Sequence, residues 1–326
     1  MNSSRRDFVR TLGMAGVGFA AGPAGLSAAM RMASKIAIDP YAIVLGIAQD
    51  AGMPQVGCYA DRCNKARERE QPRFASSLAL VNPDADRFYL VDATPDITRQ
   101  LDLIDEPRFR TRAGERRPFD GIFLTHAHIG HYAGLAVLGR EGLGMAPTPT
   151  YCTERMAAYL RENGPWELMV REGRLDLYPI TPDAWTHIDP QLEARALLVP
   201  HRPEYADTVG WMFRGPSQTV LYLPDIDSWE RWELDVADVV ASVDTALLDG
   251  SFYSGAEVPG RNIEDIPHPL MPHSMDVLQE RVESGDRVVF THINNTNPAI
   301  FEDSPEAAEV RSRGFEIATE GLRIPL

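Results

Sequence analysis

Cysteine is scarce in this chain: Cys58, Cys63 and Cys152 are all that 326 residues contain. That is too few for a disulfide scaffold, and the odd count leaves at least one thiol outside any intramolecular pair. Basic charge is also in short supply. Against 47 acidic side chains stand 32 lysines and arginines, a formal net charge of -15, which argues against nucleic acid as the main ligand and suits a soluble enzyme acting on small molecules. No solenoid repeat and no low-complexity linker divides the chain, so its body reads as one domain. A Gly-rich phosphate loop between the first strand and the first helix is missing as well, which disfavours a Rossmann sheet. The composition, 44% hydrophobic and 24% charged, is that of a globular protein with ample core.

The first residues stand apart. Ser4-Arg5-Arg6-Asp7-Phe8-Val9-Arg10 precedes an Ala/Gly-rich apolar stretch from Thr11 to Ala29, the pattern of a twin-arginine export signal. A retained membrane anchor is the alternative, disfavoured because Leu12 and Leu26 are the stretch's sole leucines and Pro23 interrupts it. The expected organisation is a signal over 1–29 and one domain over 30–326. The expected partners are the export machinery and a small-molecule substrate, the expected location is periplasmic or secreted, and no stable membrane association follows cleavage.

Within the body, short apolar runs of strand length alternate with helical patterns. Strands are expected at Ala42–Ile47, Ser77–Val81, Phe88–Val91, Gly121–Thr125, Ala196–Val199, Thr208–Phe213, Thr219–Leu223, Thr245–Leu248 and Arg287–Thr291. Helical spacing appears near Ile97–Ile104, His131–Leu138, Glu154–Glu162, Met275–Glu283 and Pro305–Ser312. Several strands follow one another at hairpin distance, so the pattern predicts a layered α/β sandwich.

The histidines carry the functional signal. Of eight in the chain, His126, His128 and His131 lie together directly after the strand Gly121–Thr125. Alternation along an extended segment points His126 and His128 to one side, and a helix starting near Gly130 brings His131 to the same cavity. Neutral imidazole is the commonest protein metal ligand. His201, Asp225 and His292 each follow a further expected strand, so four strand ends offer metal-binding chemistry to one rim.

This order of residues resembles the metallo-β-lactamase superfamily, whose His-x-His-x-Asp-His motif reads here as His126-Ala127-His128-Ile129-Gly130-His131. Within the superfamily the chain is similar to the pyrroloquinoline quinone biosynthesis protein B family. That similarity rests on Leu45–Gln55, Asp92-Ala93-Thr94-Pro95-Asp96, Asp249-Gly250-Ser251-Phe252 and His292–Pro298. The resemblance implies a four-layer αββα sandwich holding one or two zinc ions, with iron or manganese as other metals the ligands accept. It assigns His126, His128 and His201 to a first metal, His131 and His292 to a second, and Asp225 as a bridge. Gly130 departs from the pattern by lacking the motif's carboxylate, and Asp50, in the loop after the first strand, is the expected substitute, with a turn role as its alternative.

The implied chemistry is hydrolysis of an ester, lactone, thioester, amide or phosphodiester by metal-bound hydroxide, with Asp225 and Asp50 as the catalytic carboxylates. An iron-dependent redox enzyme and a non-catalytic metal-binding protein are the alternatives. Asp92 and Asp249 are expected either to accept a hydrogen bond from a ligand imidazole or to act as turn carboxylates. Cys58 and Cys63 admit three readings: a disulfide, free thiols, or a structural zinc completed by His268 or His273. Cys152, Trp229, Trp232, Met271 and Met275 read as core residues and His187 as a surface one.

Overall fold

The structure is a computed structural model that describes residues 39–258, 260 and 267–326; the export signal expected over 1–29 lies outside the described residues. Two mixed seven-stranded sheets are stacked face to face. The first runs in the order β14-β1-β2-β3-β4-β5-β6, where β1 is Tyr41–Gly46, β2 Ser77–Asn82, β3 Arg87–Val91, β4 Gly121–Phe123, β5 Thr148–Cys152, β6 Leu175–Pro179 and β14 Arg323–Pro325. The second runs β13-β12-β11-β10-β9-β8-β7, where β7 is Thr186–His187, β8 Glu193–Val199, β9 Thr208–Arg214, β10 Thr219–Leu223, β11 Thr245–Asp249, β12 Arg287–Thr291 and β13 Glu316–Ile317.

Side-chain alternation explains the layering. Val44, Leu78, Phe123, Trp211 and Tyr222 meet between the sheets in one apolar cluster. The opposite face of the first sheet packs Leu90, Ile122 and Leu124 against Phe109, Met156 and Leu160 of the helices Pro107–Gly114 and Glu154–Glu162. The opposite face of the second packs Leu221, Leu248 and Phe290 against the helices Val236–Val240 and Met271–Glu283. Because both faces of both sheets are covered, the central strands are predominantly apolar and β2, β4 and β11 are wholly buried. The result is the expected αββα sandwich. Trp229, Trp232, Met271, Met275 and Cys152 are buried and His187 is exposed.

Two differences from the expected elements have local causes. β5 contains Pro149, which breaks the look of a strand in the sequence, yet it pairs in parallel with both β4 and β6. The helix expected over His131–Leu138 is two single turns, Ile129–Tyr132 and Leu135–Leu138. The carbonyl of His131 accepts from Ala93 N–H at 2.8 Å and Gly134 N–H donates to Ala93 at 2.8 Å, so this segment docks on the loop after β3 and does not continue its own ladder. β4, the strand that delivers the histidines, is pinned at its start. Gly121 leaves room for the Tyr89 and Tyr151 rings, which an added Cβ would meet at 3.0 Å.

Asp120 precedes β4 and is almost fully buried; it accepts from Arg112 at 2.6 and 2.8 Å, Arg87 at 2.6 Å and Phe88 N–H at 3.0 Å. Burial alone would raise its pKa, but Arg112, Phe88 N–H and Arg87 together bring it below the ordinary carboxylate value. Asp120→Asn is therefore expected to cost roughly 2–3 kcal/mol in a denaturant titration at neutral pH. Because the folded-state pKa is the lower one, this contribution is present above the unfolded carboxylate pKa near ~4 and fades as pH falls through the folded value. The variant's deficit should shrink in acid, and a deficit that grows there would contradict the assignment.

Candidate metal centre

Seven side chains reach one edge of the sandwich from strand ends. Asp50 follows β1, Asp92 follows β3, His126 follows β4, His201 follows β8, Asp225 follows β10, Asp249 ends β11, and His292 follows β12. His128 caps the turn Ile129–Tyr132 that carries His131. Asp92 and His292 hold left-handed backbone with φ of 62° and 57°, a conformation that costs non-glycine residues of order 1–3 kcal/mol and clusters at functional sites.

The geometry has a single hub. Oδ2 of buried Asp225 lies 3.3 Å from His126 Nε2, 4.0 Å from His128 Nδ1, 4.0 Å from His131 Nε2, 3.2 Å from His201 Nε2 and 3.7 Å from His292 Nε2. The other nitrogen of each ring is tied down on the outside. His131 Nδ1 meets Asp92 at 2.7 Å, His201 Nδ1 meets Asp227 at 3.0 Å, and His128 Nε2 meets Glu204 at 3.2 Å. His126 Nδ1 meets Thr125 Oγ1 at 2.9 Å and His292 Nδ1 meets Ser251 Oγ at 3.0 Å. Thr125 Oγ1 also lies 2.9 Å from Asp92, and Ser251 Oγ donates to the His292 carbonyl at 3.1 Å, so both hydroxyls are left to accept from imidazole. These partners assign a proton to each outer nitrogen and a bare lone pair to each inner one.

Bare lone pairs then face one another: His131 Nε2 against His292 Nε2 at 3.3 Å, and His128 Nδ1 against His201 Nε2 at 3.1 Å. His126 Nε2, Asp225 Oδ1 and Asp50 Oδ1 are buried with no hydrogen-bond partner among the described residues. Such a cluster requires cations, and the donors fit a metal. His126, His128, His201 and Asp225 offer one compact set, Asp50, His131 and His292 offer another, and Asp225, Asp249, His268 and His292 form a third that shares residues with both. Protons are the alternative occupants. Burial works against a charge on His201, yet Asp225 and Asp227 carry its pKa up to about 10. For His126 burial prevails, helped by the His131 charge, and its pKa falls well below the usual value.

Gly130 has a direct structural counterpart in Asp50. A Cβ at position 130 would lie 2.2 Å from Asp50 Oδ1 and 2.6 Å from Asp50 Cα. The Asp50 carboxylate thus fills the volume that a side chain at 130 would need, with Oδ1 at 3.7 Å from His131 Nε2. A carboxylate from β1 stands where the motif's own would otherwise project.

Sequence reasoning missed one central residue. His268 does not complete a zinc site with the cysteines: Cys58 and Cys63 are joined as a disulfide, and His273 pairs with Glu230 at 2.6 Å on the surface. His268 is buried with Nδ1 at 2.7 Å from Asp249 and 3.3 Å from Asp225, while its Nε2 faces Gln49 at 3.5 Å. Asp249 also accepts from Ser251 N–H at 2.8 Å and Ile226 N–H at 3.2 Å, so it is both a turn carboxylate and an imidazole partner. The run Pro267-His268-Pro269, before the helix Met271–Glu283, was the visible signal. Glu204 and Asp227 gave none, since isolated acidic loop residues are common.

A family model described as the beta-lactamase superfamily domain matches residues 87–293. Coenzyme PQQ synthesis protein B of Methylorubrum extorquens (strain PA1) is 30% identical over 313 residues, covering 88% of this chain and 100% of the relative. The crystal structure of Zn(2+)-bound PqqB from Methylobacterium extorquens superposes with a TM-score of 0.74 at 27% identity, covering 88% of this chain and 100% of that one. A diphosphatase from the PhnP family shares the fold with a TM-score of 0.62 at 20% identity, over 89% of this chain and 98% of that one.

The two donor sets separate by mutation. In full-length protein, His128→Ala is expected to lower zinc affinity at the His126–His201 set by 10-fold or more, and Asp50→Ala to do so at the His131–His292 set. Elemental analysis after equilibrium dialysis reads both, and unchanged zinc content in either variant would remove that residue from its set. Gly130→Ala should fold poorly, because the new Cβ runs into the Asp50 backbone as well as its side chain.

Proposed function

Because the chain belongs to the metallo-β-lactamase superfamily, in the family of coenzyme PQQ synthesis protein B, we propose that it is an exported metal-dependent hydrolase. The observation that carries this reading is the convergence of five inward lone pairs on Asp225, a donor set built for one or two zinc-class ions. A zinc-class ion held there supplies Lewis acidity and lowers the pKa of water to about 7.

The chain's own residues do the rest. Asp225 and Asp50 present carboxylate oxygens at the centre, able to orient an attacking water. Asp92, Asp227 and Glu204 hold the rings of His131, His201 and His128 so that the inner nitrogen of each is turned to the centre. His268, whose Nδ1–H is held by Asp249 and whose Nε2 faces the Gln49 amide nitrogen at 3.5 Å, is a further imidazole able to take up a proton at Nε2 as a general base. His268→Ala should therefore lower kcat by about 10²–10⁴ with metal content unchanged, using chromogenic esters and phosphodiesters as substrates. Equal turnover in variant and parent would remove His268 from the mechanism.

The imidazole-rich donors suit iron as well, and the relatives' printed role in coenzyme PQQ synthesis supports a second reading as an iron-dependent redox enzyme. Elemental analysis of protein purified without added metal decides between them. Export is supported by Arg5-Arg6 ahead of the apolar stretch and by the Cys58–Cys63 disulfide, which suits an oxidising compartment. No helix among the described residues is long and apolar enough to cross a membrane. Arg5→Lys with Arg6→Lys should strand the protein in the cytoplasm on cell fractionation, and unaltered export would contradict the twin-arginine route.

A further inference from the structure

A cavity of about 290 Å³ opens beside the metal centre and shares its wall. Asp50 belongs to both, Gln49 faces His268 Nε2 at 3.5 Å, and Asn294 lies two residues after His292. The lining is unusual for a site in a hydrolase fold that includes diphosphatases. None of the described residues lining it is lysine, arginine or histidine, and its polar groups are mostly carboxamides: Gln49, Gln55, Asn294 and Asn295.

Two of these amides, Gln49 and Asn294, are held in place. Asn294 Oδ1 accepts from Thr296 N–H at 2.9 Å and Thr296 Oγ1 at 2.8 Å, and Asn294 Nδ2 donates to Gln49 Oε1. With its oxygen engaged and its nitrogen 3.5 Å from His268 Nε2, Gln49 keeps one N–H for the cavity. Gln55 is half-buried and its side chain makes no hydrogen bond among the described residues, so it has both a donor and an acceptor to offer. The charges nearby are negative. Asp50 lines the cavity, and Glu257 Oε2 lies 3.3 Å from Oγ1 of the lining residue Thr296. Apart from Asp50, whose charge belongs to the metal centre, an entering phosphate or carboxylate would meet Glu257 and no compensating cation among the described lining residues. An uncharged polar group would find fixed donors and acceptors whose ordering cost is already met by the fold.

We propose that this cavity is the subsite for the substrate portion flanking the scissile bond, and that it takes an uncharged hydrogen-bonding group, such as a carboxamide or a hydroxylated chain, in preference to an anionic one. The proposal rests on the hydrolase reading and narrows it towards neutral esters, lactones and amides and away from phosphodiesters.

The test uses zinc-loaded full-length protein and two hydroxamates with the same alkyl linker, one ending in a primary carboxamide and the other in a carboxylate. Binding is measured by calorimetry, so no turnover is needed. The carboxamide probe should bind at least tenfold tighter, and Gln55→Lys should close that gap by strengthening the carboxylate probe about tenfold. Equal or tighter binding of the carboxylate probe, Kd values unmoved by Gln55→Lys, or binding of neither probe would each overturn the proposal. Preserved discrimination in a protein that hydrolyses no ester would leave the subsite standing and sink the hydrolase reading alone.

Discussion

One buried carboxylate, Asp225, organises this molecule. A carboxylate removed from water costs several kcal/mol unless charge is brought to it, and here five imidazole nitrogens stand within 3.2–4.0 Å of a single oxygen. Imidazoles answer that demand only when a proton or a metal ion sits among them. Since their outward nitrogens are already committed to Asp92, Asp227, Glu204, Thr125 and Ser251, the cationic charge must lie at the centre. The sandwich supplies the rigidity this needs, because each participant stands at or just beyond a strand end or in the loops that follow.

The same demand accounts for the outer groups. Asp92 holds Thr125 N–H at 2.8 Å as well as His131, and so joins the strand end that delivers His126 to the turn that delivers His131. Its left-handed backbone and that of His292 are kept by such bonds, including His292's neighbour Ile293, which donates to Ile47 at 2.7 Å. Asp249 performs the parallel service for His268 from β11. Positioning in this centre is therefore shared between both sheets, and neither sheet alone could complete it.

Asp50 illustrates how one requirement can be met from a different place in the chain. The space beside His131 takes one carboxylate, and the close approach of the Asp50 backbone to Gly130 rules out a side chain from the motif itself. Glycine at 130 and aspartate at 50 are two halves of one arrangement. The disulfide lies near the same region: Asn295, three residues past His292, donates to Cys58 and Cys63 sulfur at 3.6 and 3.5 Å. The loop after β1 is thus tied to the loop after β12 on the rim where Asp50 and His292 meet.

Much of this was legible in the sequence. Apolar runs of strand length marked the central strands, and histidine, a rare and chemically specific residue, marked His126, His128, His131, His201 and His292 together with Asp225. Those features are local: strand periodicity and ligand spacing within six residues are properties of short segments. The supply of ligands to the hub from distant segments was not local. His268 and Asp249 are 19 residues apart and Glu204 lies 76 residues from His128, so their pairing depends on how loops close over the strand ends. Likewise β5 was hidden by Pro149, since its two parallel partners are contributed by the sheet and not by its own pattern. By itself the sequence determined the strands with unbroken apolar runs and which side chains carried ligand chemistry. Tertiary structure alone decided which nitrogens face inward, which outer groups hold each ring, and which neutral groups line the cavity beside the centre, because each of those depends on distances between segments that only the packed sheets bring together.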